Sequence, residues 1–244
     1  MGKRLRVQRR GRGGSVYQAS THKRIAPAKY PPMNTEQLEG KIEGEIVQVL
    51  HEPGRFAPLA LIRLETGQSY HFIVPEGIHE KQVIQVGSQA TPDIGNVLPL
   101  RNIPEGAMIC GIELSPGDGG KIARSSGTYA TVVGHTPQGT MIKFPSGGTK
   151  FVHDSCRATI GVVSGAGRLE KPLLKAGKEH HRKKAKGHKY PRNRGVAMVA
   201  ASHPYGSSKR GGRKVTTVAR GAPPGQKVGL IAARGTGTKK RRKR

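Results

Sequence analysis

Positive charge is concentrated at the two ends of this 244-residue chain and is nearly absent from its middle. Residues 1–33 carry nine Lys or Arg and no acid, and residues 171–244 carry twenty-three against Glu179 alone. Residues 34–170 carry eleven basic and fourteen acidic side chains. The formal net charge of +28 destabilises any compact state by self-repulsion unless a polyanion neutralises it. The sequence therefore predicts a near-neutral folded middle and two basic arms that bind a polyanion.

The middle of the chain contains two series of short segments typical of β-strands. The first is "KIEGEIVQVL", "LALIRLETG", "SYHFIVPEG" and "KQVIQVGSQ", with β-branched residues alternating between Gly and Pro turns. The stretch "TPDIGNVLPLRNIPEG" interrupts it, and "AMICGIEL", "GTYATVVGH", "TMIKFPSG" and "TKFVHDSCRATIGVVSG" follow. We expect an all-β fold with a domain boundary near residue 92.

The arms contain too few apolar residues to offset the entropy of ordering a chain, about 1.5 kcal/mol per residue. We therefore expect irregular extensions that become ordered on a partner, with one or two helical turns near residues 171–179. Four of the six tyrosines lie in these arms, namely Tyr17, Tyr30, Tyr190 and Tyr205. They either stack on bases of a nucleic acid or are ordinary exposed residues.

Several sequences come close to enzyme or metal motifs and depart from them at essential positions. "SPGDGGKIARS" has Ser115 where a P-loop needs Gly, and Ile122 where it needs Ser or Thr. "GRGGSV" lacks the third glycine of a dinucleotide fingerprint. In "HDSC", a strand would place His153 and Asp154 on opposite faces, so that no proton relay forms. We expect no catalytic residue.

Metal and redox sites are likewise not expected. Cys110 and Cys156 form no CxxC motif and suit small buried residues of a reduced cytoplasmic protein. His180, His181 and His188 lie among lysines, which repel cations, so phosphate or base contacts are favoured there. The sequence has no apolar run of about 18 residues, so we expect neither a membrane span nor a secretory signal.

Three blocks of the sequence together resemble one known family. They are "LPLRNIPEGAMICGIELSPGDGGKIARSSGTYATVVGH", "KFPSGGTKFVHDSCRATIGVVSG" and "RGVAMVAASHPYG". In this order they are similar to the large-subunit ribosomal protein L2 family in its archaeal form, over almost the whole chain. The resemblance implies an OB-like β-barrel (34–92) followed by an SH3-like β-barrel (93–170). It also implies basic extensions (1–33 and 171–244) that enter large-subunit ribosomal RNA.

The resemblance further implies a structural, non-enzymatic role in the ribosome, in the cytoplasm. The implied partners are large-subunit ribosomal RNA near the peptidyl-transferase centre, other ribosomal proteins, and the small subunit at an intersubunit bridge. Neither a membrane nor a small-molecule substrate is implied, and no cofactor is expected; magnesium accompanies folded RNA, but no protein ligand set for it is visible. The alternative left open by charge alone is a chromatin-type or general duplex-binding protein.

The last block departs from the family around its histidine. The family commonly has Asn where Val199 stands and often an acid where Ser202 stands, whereas His203, Pro204 and Gly206 match. A histidine base needs a group that orients it, and no Asp or Glu follows Glu179. We therefore expect His203 and Tyr205 to make hydrogen-bonding or stacking contacts in an RNA pocket.

The remaining RNA contacts are predicted on basic residues of the arms. Together with His203 and Tyr205, the predicted ribosomal RNA-binding residues are Lys3, Arg4, Arg6, Arg9, Arg10, Arg12, Lys23, Arg24, Lys175, Arg182, Lys183, Lys184, Lys186, Lys189, Arg192, Arg194, Lys209, Arg210, Arg213, Lys214 and Arg220.

Overall fold

The computed structural model describes residues 4–32, 40–207 and 217–233. The chain divides into two compact units. Thr21–Pro172 forms the first, called here the β unit, and Met1–Ser20 with Leu173–Arg244 forms the second, called here the arm unit. No helix in the described ranges is long and apolar enough to cross a membrane.

The β unit is built on one continuous sheet of ten strands. They are β1 (Lys41–Leu50), β2 (Leu59–Leu64), β3 (Ser69–Ile73), β4 (Val83–Gly87), β5 (Val97–Pro99), β6 (Met108–Cys110), β7 (Ala130–Thr136), β8 (Gly139–Lys143), β9 (Thr149–Val152) and β10 (Arg157–Ile160). Their order is β3-β2-β1-β4-β5-β10-β6-β7-β8-β9, and every pairing is antiparallel except β4 with β5. Short 3₁₀ helices cover Thr21–Lys23, Leu100–Asn102 and Ala166–Leu169. The prediction of an all-β fold is confirmed.

Two main apolar clusters fill the β unit, one for each strand series. Ile46, Ile62 and Ile84 are fully buried in the first, and Ile109 and Ile142 in the second. Alternation along the strands produces this division, because side chains two residues apart share a face of the sheet. Near the predicted boundary the clusters interleave, since Ala90 belongs to the second and Val97 to the first. The boundary at residue 92 stays a prediction.

Strand β5 lies inside the stretch that the sequence predicts as an interruption between the two series. All three of its residues are buried, and Leu98 pairs with Ala158 of β10. Asn96 fixes the preceding turn by accepting the Gln85 N–H (2.9 Å) and donating to the Thr91 carbonyl (2.9 Å). Proline and glycine obscure this strand in the sequence, and its antiparallel partner β10 is distant along the chain.

The "HDSC" segment is a turn between β9 and β10 rather than part of a strand. The Cys156 N–H donates to the His153 carbonyl (2.9 Å), and Asp154 accepts the hydroxyl of Thr140 (2.6 Å). The expectation that a strand separates His153 from Asp154 is therefore wrong. The Asp154 carboxylate nevertheless accepts a hydrogen bond from Thr140 and not from the adjacent His153.

The arm unit has short elements and a small core of its own. Helix α1 spans Arg6–Gly11 and helix α2 spans Ala176–Ala185, with a 3₁₀ turn at Gly195–Ala197. Strands β11 (Thr217–Val218) and β12 (Leu230–Ile231) form a two-stranded parallel sheet. Its core residues are Leu5, Tyr205, Val218 and Val228.

This arrangement differs from two expectations for the arms. The helix spans residues 176–185 and overlaps the predicted 171–179 only at residues 176–179. The arms also share one apolar cluster, to which Leu5 comes from one end of the chain and Val228 from the other. The C-terminal arm supplies most of this cluster and the N-terminal arm contributes Leu5, a contact that composition does not display.

Candidate nucleic-acid interface

Helix α2 presents basic side chains to solvent and has no buried residue. Its one acid, Glu179, forms ion pairs with Arg182 (2.6 Å) and Lys183 (3.4 Å), three and four residues ahead. Such spacings stabilise a helix, and cations in its last turn complement the helix dipole. The hydrogen bond from Arg182 holds the pKa of Glu179 below its ordinary value. These charge interactions contribute to the stability of the helix, and Lys178 and Lys184 are exposed.

A cleft of about 310 Å³ opens in the arm unit between the N-terminal and C-terminal segments. Five cationic side chains, two tyrosines and one histidine line it, and none of these described lining residues is acidic. The lining consists of Arg6, Val7, Arg10, Tyr17, Lys183, Gly187, His188, Lys189, Tyr190 and Arg192. This surface, called here the arm cleft, combines positive charge with aromatic rings.

Backbone contacts between the two arms fix the shape of the arm cleft. Arg6 Nη1 donates to the Asn193 carbonyl (2.8 Å), and Lys184 Nζ donates to the Ser15 carbonyl (3.0 Å). Gly187 is buried at φ +68°, and a Cβ there would lie 2.5 Å from the Tyr17 carbonyl oxygen. Only glycine satisfies both the left-handed backbone and this close approach.

The His203 imidazole is held inside its own loop. Its Nδ1 accepts the Tyr205 N–H (3.1 Å), which in the neutral ring leaves the proton on Nε2. The ring also packs on Gly195, where a Cβ would lie 2.3 Å from the imidazole Cε1. Burial, and then the charges of Arg6 and Arg192, hold the pKa of His203 below its ordinary value. A backbone amide orients the ring, and nearby cations favour its neutral form.

Two of the four arm tyrosines lie in protein cores rather than on a surface. Tyr205 is buried, and its hydroxyl donates to the Val228 carbonyl (2.8 Å). Tyr30 is buried in the β unit, where its hydroxyl lies 2.6 Å from Thr159 Oγ1. Neither ring presents a face for stacking in this arrangement, so the expectation that they are ordinary exposed residues is wrong. RNA contact by Tyr205 stays a prediction. Tyr17 and Tyr190 are half-buried in the arm cleft.

The "SPGDGG" loop shows why this glycine-rich sequence is no phosphate cradle. A phosphate cradle needs free backbone N–H groups. Here the N–H groups of Gly117 (3.3 Å) and Gly119 (3.0 Å) donate to Glu113, and that of Gly120 (3.1 Å) donates to Asp118. The protein's own carboxylates occupy the donors that an anion would use.

Both cysteines are buried free thiols. Burial raises the pKa of Cys110 to about 12 and, together with nearby carboxylates such as Glu113, that of Cys156 to about 11. Neither is a thiolate at neutral pH. Across the described ranges, no group of three or more His, Cys, Asp or Glu is placed to hold a metal ion.

The predicted RNA-binding residues have different degrees of exposure. The exposed ones are Arg4, Arg9, Arg10, Arg12, Lys23, Arg24, Lys175, Lys184, Lys186, Lys189, Arg192, Arg194 and Arg220. The half-buried ones are Arg6, Arg182, Lys183 and His203. Lys3, Lys209, Arg210, Arg213 and Lys214 lie outside the described residues. The arm cleft brings together Arg6, Arg10, Lys183, Lys189 and Arg192, whereas Lys23 and Arg24 belong to the β unit. RNA contact by these residues stays a prediction.

The sequence did not indicate that Tyr17 and Tyr190 share one cleft, nor that Val7 and His188 line it with them. These residues come from opposite ends of the chain, and no spacing pattern joins them. The only available signal was the presence of tyrosine within strongly basic segments.

Comparisons with known proteins agree on one family. The family model described as "Ribosomal Proteins L2, RNA binding N-terminal domain" matches residues 2–86, and "Ribosomal Proteins L2, C-terminal domain" matches residues 93–227. The chain is 53% identical over 244 residues to the large ribosomal subunit protein uL2 of Korarchaeum cryptofilum, covering 99% of this chain and 98% of that one. It is 50% identical over 242 residues to the proteins of that name from Hyperthermus butylicus (99% and 100% covered) and Methanocaldococcus jannaschii (98% and 100% covered). On this evidence, the chain belongs to the ribosomal protein L2 family.

Proposed function

We propose that this chain is a non-enzymatic structural constituent of the large ribosomal subunit that binds large-subunit ribosomal RNA. The observation that carries the proposal is the separation of charge between the two units. The β unit buries two apolar clusters, whereas the arm unit has one small core and a cation-lined cleft. A polyanion that neutralises the arms removes the repulsion that a charge of +28 creates. The family of the chain identifies that polyanion as ribosomal RNA.

The proposal extends to the barrels and their surroundings. We assign residues 34–92 to an OB-like barrel and residues 93–170 to an SH3-like barrel, with residues 1–33 and 171–244 as RNA-binding extensions. The two main apolar clusters support this assignment, since each consists mostly of residues from one strand series. The protein would lie near the peptidyl-transferase centre, support its assembly, and contact other ribosomal proteins and the small subunit. Magnesium there would be held by the RNA.

Sedimentation of the native protein from gently lysed cells tests this function. We expect the protein to migrate with the large subunit at low magnesium and with whole ribosomes at high magnesium. Ribonuclease should abolish both, because the basic arms bind RNA. Migration as a free protein, or with DNA after ribonuclease treatment, would contradict the proposal and favour a general duplex-binding protein.

The position of His203 predicts a supporting role rather than a catalytic one. His203→Ala removes the imidazole acceptor of the Tyr205 N–H, and the loss of a hydrogen bond of this kind costs about 0.5–1.5 kcal/mol. We expect reduced incorporation of the variant into large subunits and near-normal peptide-bond formation per particle that has incorporated it. Quantitative mass spectrometry of purified particles and a single-turnover peptidyl-transfer assay measure the two quantities. Full incorporation with abolished peptide-bond formation would show instead that His203 takes part in the reaction.

A further inference from the structure

We propose that the arm cleft takes up one unstacked nucleotide of the bound RNA, with its base against a tyrosine ring and its phosphate on the surrounding cations. The proposal rests on the proposed RNA-binding function and names the RNA feature recognised there, a single bulged or unpaired nucleotide.

The size of the arm cleft is the first argument. Its volume of about 310 Å³ lies at the small end of the range for sites that enclose small organic molecules, about 300–1,000 Å³. A phosphate contact alone needs no such volume, since lysines and arginines neutralise the phosphates along the outside of a nucleic acid. A helical RNA segment is too wide to enter. The volume therefore matches a single nucleotide.

The apolar part of the lining is the second argument. Tyr17 and Tyr190 both line the cleft, and tyrosine rings stack on unpaired bases irrespective of sequence. Val7 also lines it and is 57% exposed, although the rest of helix α1 is polar or glycine. An exposed valine in a basic cleft makes no favourable contact with a phosphate. A base inserted beside it would cover it.

The charge of the lining is the third argument. Arg10, Lys189 and Arg192 are exposed and form no ion pair with any residue of the described chain. Arg6 is held in place by the Asn193 carbonyl (2.8 Å) and the sulfur of Met198 (3.9 Å), so its charge is positioned before a ligand arrives. Fixed and unpaired cations beside aromatic rings complement a phosphate attached to a base.

The test uses the full chain and two RNA hairpins with the same number of phosphates. One hairpin has a single bulged 2-aminopurine nucleotide, and the other is fully paired. We expect the bulged hairpin to bind about tenfold more tightly at equal salt, with quenching of 2-aminopurine fluorescence. With ¹³C-labelled tyrosine, the ring signals of Tyr17 and Tyr190 should shift with the bulged hairpin only, while that of Tyr129 in the β unit should not.

Charge-neutral variants separate stacking from phosphate binding. Tyr17→Leu with Tyr190→Leu should abolish the preference for the bulge and leave the affinity for the paired hairpin unchanged. Tyr17→Phe with Tyr190→Phe should keep the preference, because it keeps both rings. Tyr129→Leu is the matched control and should also keep it. Circular dichroism confirms that each variant is folded; if the leucine variant is not, the phenylalanine variant and the ring signals decide the question.

The outcomes distinguish this inference from the proposed function. Equal affinity for the two hairpins, with unmoved Tyr17 and Tyr190 signals, would overturn the nucleotide site and leave RNA binding intact. If duplex DNA displaced both hairpins as effectively as unlabelled hairpin RNA, the nucleotide site and the proposed function would both be contradicted. Quenching that an acidic peptide reversed more effectively than RNA would assign the cleft to a protein partner and overturn the inference.

Discussion

Glu113→Gln is expected to lower the free energy of unfolding of the β unit by about 3–5 kcal/mol, the usual effect of breaking a buried ion pair from one side. Arg157 Nη2 lies 2.9 Å from Glu113 Oε1, and the two side chains are only 2% and 0% exposed. Glutamine removes the negative charge that Glu113 places beside the buried Arg157 guanidinium. Urea unfolding of the full chain, followed by far-ultraviolet circular dichroism, measures the decrease.

The same carboxylate also accepts three backbone N–H groups, including that of Arg157 at 2.9 Å, so it anchors the loop of residues 115–120 to strand β10. The matched control is Glu43→Gln, which breaks the exposed pair of Glu43 with Lys41 (3.2 Å) and should change stability by no more than about 1 kcal/mol. Equal effects of Glu113→Gln and Glu43→Gln would mean that water reaches the buried pair.

This buried pair marks a limit of what the sequence predicts. Strand periodicity predicted the all-β middle, because alternating β-branched residues report directly on which side chains share a face. Nothing in "GIELSPGDGG" distinguishes Glu113 from the exposed acids of the same region, and Arg157 counted only as one of its basic residues. Burial of a charge depends on a partner 44 positions away, and a single sequence does not display that pairing.

The arms show the same limit at the candidate site. Charge segregation predicts a polyanion-binding role for the two ends of the chain, since net charge is a property of composition and needs no contact. That role stays a prediction. The arm cleft depends on contacts between the two arms, such as Arg6 with Asn193 and Lys184 with Ser15. The presence of tyrosine in basic segments also did not predict that Tyr205 is buried, because burial of the ring depends on an acceptor for its hydroxyl, in this case the Val228 carbonyl.

Removing four exposed arm cations is expected to reduce RNA affinity about 10³-fold at about 0.1 M salt. The variant replaces Arg9, Arg12, Lys175 and Arg194 with glutamine, and none of these residues lines the arm cleft. The logarithm of the binding constant falls linearly with the logarithm of the salt concentration. The slope of this line becomes shallower by about 0.7–0.9 for every phosphate that is no longer neutralised, so four such phosphates reduce it by about 3. Filter binding of large-subunit ribosomal RNA fragments across a salt series measures both quantities.

A control with the same change in net charge decides whether the arms or the total charge bind the RNA. It replaces four exposed cations of the β unit, Arg63, Arg101, Lys143 and Lys150, with glutamine. We expect its slope to stay within about 1 of the unmodified chain, because these side chains lie outside the arm unit. An equal decrease of slope in the two variants would contradict the assignment of RNA binding to the arms.

A third variant should change RNA binding in the opposite direction. Glu179→Gln removes the only acid of residues 171–244 and releases Arg182 and Lys183 from ion pairs of 2.6 and 3.4 Å. If both cations then contact phosphates, the slope steepens by about 1.4–1.8 and affinity increases. A weaker affinity would show that the two pairs are needed to hold helix α2 in its binding conformation. We thus expect the four-residue variant to bind RNA more weakly than the unmodified chain, and Glu179→Gln to bind it more tightly. If the β-unit control binds RNA like the unmodified chain, total charge alone does not explain these two changes.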